Sequence, residues 1–152
     1  MTTVDEAILA AQGRRAGFWT RSSVKYAQTL LEPGENVTAA VTANISTRKE
    51  HFPGVVLLTD RSIQAVCALP GIRRRIVCSL DSSCVEKPSA LYYRAMFSDS
   101  KNEFSMTIDP DTGKKFSRQI AVLSGRAAVN TDPAAVAARL AEELAAGKEE
   151  TV

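Results

Sequence analysis

The order of apolar and polar positions divides the chain into a helical beginning, a run of short strands and a helical end. Residues 3–12 carry a helix signature: Thr3 is a capping residue, and Asp5 and Glu6 fall in the first turn, where carboxylates suit the helix dipole. Gly13 and Gly17 interrupt the pattern. Phe18 to Leu31 reads as a second helical stretch with an untidy apolar face, and Glu32-Pro33-Gly34-Glu35 ends it, because proline disfavours helix at the residue before it. At Val37 the period changes to two. Val37, Ala39, Val41, Ala43 and Ile45 share one face, with Thr38, Thr42, Asn44 and Ser46 mostly on the other, which predicts a strand with one buried face.

The stretch from Gly54 to Ala68, GVVLLTDRSIQAVCA, predicts the central hairpin. Val55–Thr59 and Ile63–Leu69 are short apolar, β-branched runs, and Asp60 and Ser62 supply the turn between them. A loop over 48–54 precedes the hairpin. Pro70-Gly71 marks the next turn, from which Arg73-Arg74-Arg75 leads into a strand over Ile76–Leu80. Cys84–Lys87, the aromatic-rich Leu91–Phe97 and the alternating Glu103–Ile108 complete about six or seven strands in succession, a pattern that predicts a meandering antiparallel sheet or partly open barrel.

After turn chemistry at Asp109–Gly113, the segment 114–124 stays open between two readings. Phe116, Ile120 and Leu123 have helical spacing with Gly125 as a stop, and a last strand competes. Thr131-Asp132-Pro133 then opens a helix in which Val136, Leu140 and Leu144 form one stripe, ended by Gly147. That stripe needs a partner, and the open end or face of the sheet is the natural one. The expected fold is mainly β with helices (α+β), with a helical extension over 1–31, the sheet domain over 32–147 and a tail over 148–152.

Composition narrows the function classes. The chain has 152 residues, 45% of them apolar, enough for one domain with an ordinary core. A net charge of +2 argues against bulk polyanion binding, so no nucleic-acid partner is expected, and it leaves room for a local basic patch. No apolar run is long enough to span a bilayer. The first residues place acids before the apolar part and bases after it, the reverse of a secretory signal, so the expected placement is cytoplasmic, at most peripheral to the inner face of the membrane.

Cys67, Cys78 and Cys84 form no CxxC pair, and His51 is the single histidine, so no metal site is expected. A hairpin turning at Pro70-Gly71 would set Cys67 across from Cys78 as reduced strand residues. His51 has no nucleophile partner in a recognisable motif and no Gly-rich phosphate loop is present, so neither catalytic residues nor a cofactor are expected, and the chain does not read as an enzyme.

Two motifs carry a family resemblance. Leu31-Glu32-Pro33-Gly34-Glu35-Asn36-Val37 is similar to an L-x-x-G-E-x-V lead into a first strand. Gly54-Val55-Val56-Leu57-Leu58-Thr59-Asp60-Arg61-Ser62-Ile63 is similar to a G-x-x-x-L-T-D-x-R-I/L hairpin, with the arginine here directly after Asp60. This order of parts resembles the bacterial PH-like domains, relatives of pleckstrin-homology and GRAM domains, over about residues 30 to 110. The resemblance implies a strongly bent antiparallel sheet closed at one end by a C-terminal helix. It also implies protein partners and homo-oligomers, since the bacterial members tend to assemble, whereas eukaryotic members often bind phosphoinositide headgroups through bases at the open end.

Candidate site residues follow from that picture. The first loop holds Arg48, Lys49 and His51, and the loop between the third and fourth strands holds Arg73, Arg74 and Arg75; the resemblance puts both loops at one end as an anion site. Loop bases also serve simply as solvating charge. Between Ala7 and Leu31 the chain has bases (Arg14, Arg15, Arg21, Lys25) and no acid, together with Phe18 and Trp19. Such a stretch can lie on an anionic membrane, but the aromatics fit better as packing onto the sheet or onto another copy. The leading expectation is a non-catalytic interaction module for protein–protein contacts or self-assembly; the alternative is a binder of anionic lipid headgroups.

Overall fold

The computed structural model describes residues 2–123. Helices α1 (Val4–Gln12) and α2 (Arg21–Leu30) come first, joined through a 3-10 turn at Phe18–Thr20. Seven strands follow: β1 (Val37–Ser46), β2 (His51–Thr59), β3 (Ser62–Leu69), β4 (Ile72–Ser79), β5 (Ser83–Pro88), β6 (Tyr93–Ser98) and β7 (Glu103–Ile108). Helix α3 (Pro110–Leu123) ends the described chain. The strands form one antiparallel sheet in the order β4-β3-β2-β1-β7-β6-β5, with β4 and β5 as its edges. The ambiguous segment after Gly113 is therefore helical. Phe116 and Ile120, four apart, are buried together in the core inside the bent sheet. The helix expected from Thr131, with Val136, Leu140 and Leu144, and the tail after Gly147 lie outside the described residues.

Two apolar layers lie on opposite faces of the sheet. The inner one gathers Val41, Ile45, Val56, Leu58, Ile63, Phe97, Phe104 and Met106 with Phe116 of α3. The outer one gathers Val55, Leu57, Val66 and Ala40 with Val4 and Ile8 of α1 and Val24 and Ala27 of α2. Strands β2 and β3 are buried on both faces, which is why their sequence runs apolar without alternation, whereas β1 keeps a more mixed pattern. A register shift between Val37 and Ala39 moves Val37 off the inner face where strict alternation places it, and it packs in the outer layer.

Hydrogen bonds fix the helices to the sheet and to one another. The Ser22 hydroxyl donates to the carbonyl of Ala68 (2.7 Å), and the Ala68 amide donates to Ser23 Oγ (2.9 Å). The Thr42 hydroxyl donates to Gln12 Oε1 (2.8 Å), and the Val4 amide donates to Gln28 Oε1 (2.8 Å). On the other side of the sheet, α3 approaches Tyr93 so closely that a Cβ on Gly113 would sit 2.3 Å from the ring's Cγ. The Tyr93 hydroxyl and the Ser117 hydroxyl both donate to Glu86 Oε1, tying α3 to β5 and β6.

The two motifs that carry the resemblance meet in one node. Glu35 is 4% exposed. Its carboxylate accepts from the Glu32 amide (3.0 Å) and the Thr59 hydroxyl (2.7 Å). Thr59 Oγ1 in turn accepts from the Ser62 and Arg61 amides, and Asp60 accepts from the Asn36 amide. Burial of a carboxylate is tolerated here because each oxygen has a donor. Gly54 is the other tight position. A Cβ there would lie 2.5 Å from the Val66 carbonyl oxygen and 2.8 Å from Ile45 Cδ1, so only glycine lets β2 pass between β3 and Ile45.

Several sequence-based boundaries change. The segment expected as a loop over 48–54 is strand from His51 onward, and β4 begins at Ile72 instead of Ile76, so Arg73, Arg74 and Arg75 are strand residues. The register sets Cys67 opposite Arg74 and Cys78 opposite Ile63, so the two cysteines are not a cross-strand pair. Burial, together with the nearby Asp99 charge, pushes the Cys78 thiol up to about 11. Burial raises the Cys67 thiol as well.

Candidate functional site

The β1–β2 and β6–β7 turns stand side by side, because β1 and β7 pair from Asn44↔Thr107 to Ser46↔Ser105. Each turn is held by its own side chain. Thr47 Oγ1 accepts from the Glu50 amide (3.1 Å), closing the first. Asp99 Oδ1 accepts from the amides of Lys101 (2.8 Å) and Asn102 (2.7 Å), closing the second. Asp99 Oδ2 also takes the Ser79 amide, and Asn102 Nδ2 donates to the Val77 carbonyl, so the β6–β7 turn clasps the end of the edge strand β4. These backbone bonds, from Asn102 foremost, hold the Asp99 carboxyl below its usual range.

Between the turns lies an open cleft of about 400 Å³. Arg48, Lys49 and Lys101 line it, and so do Glu50, Asp99 and Glu103. The bases and acids balance, so the cleft is mixed in sign. Lys101, Asp99 and Glu103 escape a reading of the sequence. They lie some fifty residues from Arg48 and Lys49, and only the β1–β7 register brings them there.

The arginine triplet does not converge on this cleft. Successive strand residues point to opposite faces. Arg74 is on the inner side and reaches the β1–β2 turn, where its Nε lies 2.8 Å from Glu50 Oε1. That hydrogen bond lowers the Glu50 carboxyl, and the pair cancels the charge that Arg74 would bring. Arg73 turns to the outer face and lies 5.2 Å over the ring of Tyr26. Arg75, on the same face, donates to Gln64 Oε1 (3.1 Å). His51 is also on the outer face, its Nδ1 bonded to Ser46 Oγ (2.8 Å). Of the anion-site candidates, only Arg48 and Lys49 line the cleft, with Arg74 at its rim through Glu50.

Phe18 and Trp19 do not pack on the sheet. They are 75% and 70% exposed, stacked edge to face with ring centroids 5.4 Å apart. The turn that carries them is anchored on both sides: Ala16 and Thr20 are buried, and the Gly17 carbonyl accepts from the amides of Thr20 (3.0 Å) and Arg21 (3.1 Å). Between this turn, α2 and the β3–β4 turn runs a second depression of about 340 Å³, with Phe18, Trp19, Leu69 and Pro70 as its apolar part and Arg21 and Lys25 on the α2 side. Among the described residues no three His, Cys, Asp or Glu side chains gather as metal ligands, and no helix is long and apolar enough to cross a membrane.

A bent seven-stranded antiparallel sheet with an inner helix after its last strand is a pleckstrin-homology-like fold. The N-terminal PH domain of Vps36 is similar in structure, with a TM-score of 0.50 and 18% identity over 72% of this chain and 92% of that one. The N-terminally truncated linker-DH/PH domains of p115-RhoGEF align with a TM-score of 0.46 and 12% identity, over 78% of this chain and 36% of that one. At such identity the likeness to Vps36 is one of fold. No protein-family model matches the sequence, and no curated protein matches it.

Proposed function

We propose that the chain is a non-catalytic interaction module that engages protein partners, other copies of itself included, through the surface its N-terminal helices present. The observation that carries this reading is the exposure of Phe18 and Trp19 on an anchored turn. Large aromatics at the centre of a surface are the residues that dominate protein–protein binding energy, and a turn already ordered loses little entropy on docking. The cleft at the β1–β2 and β6–β7 turns supports the anionic-headgroup alternative less well. Its bases are matched by acids, and Arg74 is already paired with Glu50.

Light scattering over a concentration series, run beside vesicle sedimentation with and without anionic lipid, tests the reading. Concentration-dependent assembly that weakens in Phe18→Ser/Trp19→Ser, without vesicle binding, is the expected result. A monomer that sediments with anionic vesicles, and stops doing so in Arg48→Gln/Lys49→Gln, would replace this reading with the headgroup one.

A further inference from the structure

The depression beside Phe18 and Trp19 has a definite chemistry. Its apolar part, the two aromatics with Leu69 and Pro70, lies along one side, and Arg21 and Lys25 stand on α2 along the other. These two bases are four residues apart on one helix, so they share a face and are spaced about one turn. Across α2, a neighbouring depression of about 460 Å³ adds Arg15 to the same two bases, with Asp5 as its acid. Among the described residues, neither Arg15, Arg21 nor Lys25 has a carboxylate within ion-pair distance; the two ion pairs found there are Arg61–Glu32 and Arg74–Glu50. The surface is thus an apolar slot with a basic border, where Asp5 is set against three bases and, among the described residues, forms no ion pair with them.

We infer that this slot docks an amphipathic helix of a protein partner, with apolar side chains entering between Trp19 and Leu69 and acidic side chains, one helical turn apart, facing Arg21 and Lys25. The inference rests on the interaction-module reading and names the chemistry of the partner. A helix presents apolar positions in a stripe flanked by charges at i and i+4, which matches the spacing of Arg21 and Lys25. A bilayer fits less well. Polybasic membrane sites use about four to eight clustered bases, whereas the bases lining these two depressions are Arg15, Arg21 and Lys25, and Asp5 stands among them.

Trp19 is the chain's single tryptophan, so its fluorescence reads this slot directly. The probes are a synthetic helical peptide without aromatics, with a leucine stripe bordered by glutamates four apart, and the same peptide with lysines in place of the glutamates. Vesicles of phosphatidylcholine and phosphatidylserine form a third arm. The expected result is a saturable blue shift of Trp19 emission with the glutamate peptide, weak or none with the lysine peptide. Arg21→Glu/Lys25→Glu and, separately, Phe18→Ala should each weaken that binding about tenfold or more. Phe18, Arg21 and Lys25 are exposed, so unchanged circular dichroism of both variants excludes unfolding as the cause.

No shift with the glutamate peptide up to about 1 mM, or equal binding of both peptides, overturns the proposal. So does a shift produced only by vesicles, which would make the slot a membrane contact. If the peptide fails while Phe18→Ser/Trp19→Ser still dissolves an assembly in light scattering, the slot is a contact between copies, and the interaction-module reading stands without this partner.

Discussion

Gly113 shows how much of this fold depends on single atoms. The helix α3 can lie on Tyr93 because residue 113 has no side chain, and an added methyl would meet the base of the ring, which cannot swing away. Alanine is otherwise favoured over glycine in a helix by about 1 kcal/mol. Gly113→Ala should nonetheless destabilise the protein by about 1–3 kcal/mol, as overpacking does, seen in a urea melt. A stabilised variant would show that α3 does not rest on Tyr93. The Glu35 node is of the same kind. The sequence displayed Glu35, Thr59 and Asp60 as two separate motifs, and their being one hydrogen-bonded cluster was not legible, because the contact spans 24 residues.

Elements were legible where one face decides the pattern and less so where two do. The alternation of β1 named its inner residues correctly up to the bulge that displaces Val37. The unbroken apolar runs of β2 and β3 were readable as strands, yet their physical message, a second covered face, pointed to the layer that α1 and α2 supply. Arg73, Arg74 and Arg75 looked like a loop because three consecutive bases carry no strand signal. On an edge strand such charges are ordinary, since they discourage pairing with another sheet. Candidate-site residues were readable singly, but the split of the triplet between two faces depends on the β3–β4 register. The helical layer makes a firm prediction. Ile8 is fully buried in the outer cluster, so Ile8→Ala should lower stability by about 2–5 kcal/mol in a denaturant melt. A change below about 0.5 kcal/mol, typical of a surface site, would mean the helices merely lie on the sheet.

At the scale of the molecule, edge β4 is tied to the rest by carboxylates at two places. Asp99 takes the Ser79 amide, and Glu50 takes Arg74. Both carboxyls are held below their ordinary range, by backbone amide donors and by the Arg74 guanidinium respectively. A depressed carboxyl contributes its stabilisation above the ordinary value of about 4. That contribution is lost as the pH falls from there through the lowered folded-state values. Amide hydrogen exchange along Ile72–Ser79 should therefore accelerate below about pH 4 before that of β1 and β2 does, after correction for the intrinsic pH dependence of exchange. Uniform acceleration across all strands would show that these ties do not hold the edge.

The bonds from Ser22 and Ser23 to Ala68 have a kinetic meaning. They close loops of 46 and 45 residues, and the Gln12–Thr42 bond closes one of 30. Ala68 lies on β3, so α2 finds this partner only after three strands have been made, and α1 finds Thr42 only once β1 has been made. Loop closure on this scale must precede the contacts that reward it, so the outer layer should condense after the transition state. Ser22→Ala and Ile8→Ala should then accelerate unfolding while leaving the refolding limb of the chevron in place. A slowed refolding limb would instead put the helices in the nucleus. With late condensation, the protein's lifetime in the folded state can be tuned in the layer of α1 and α2 without altering how fast the sheet assembles.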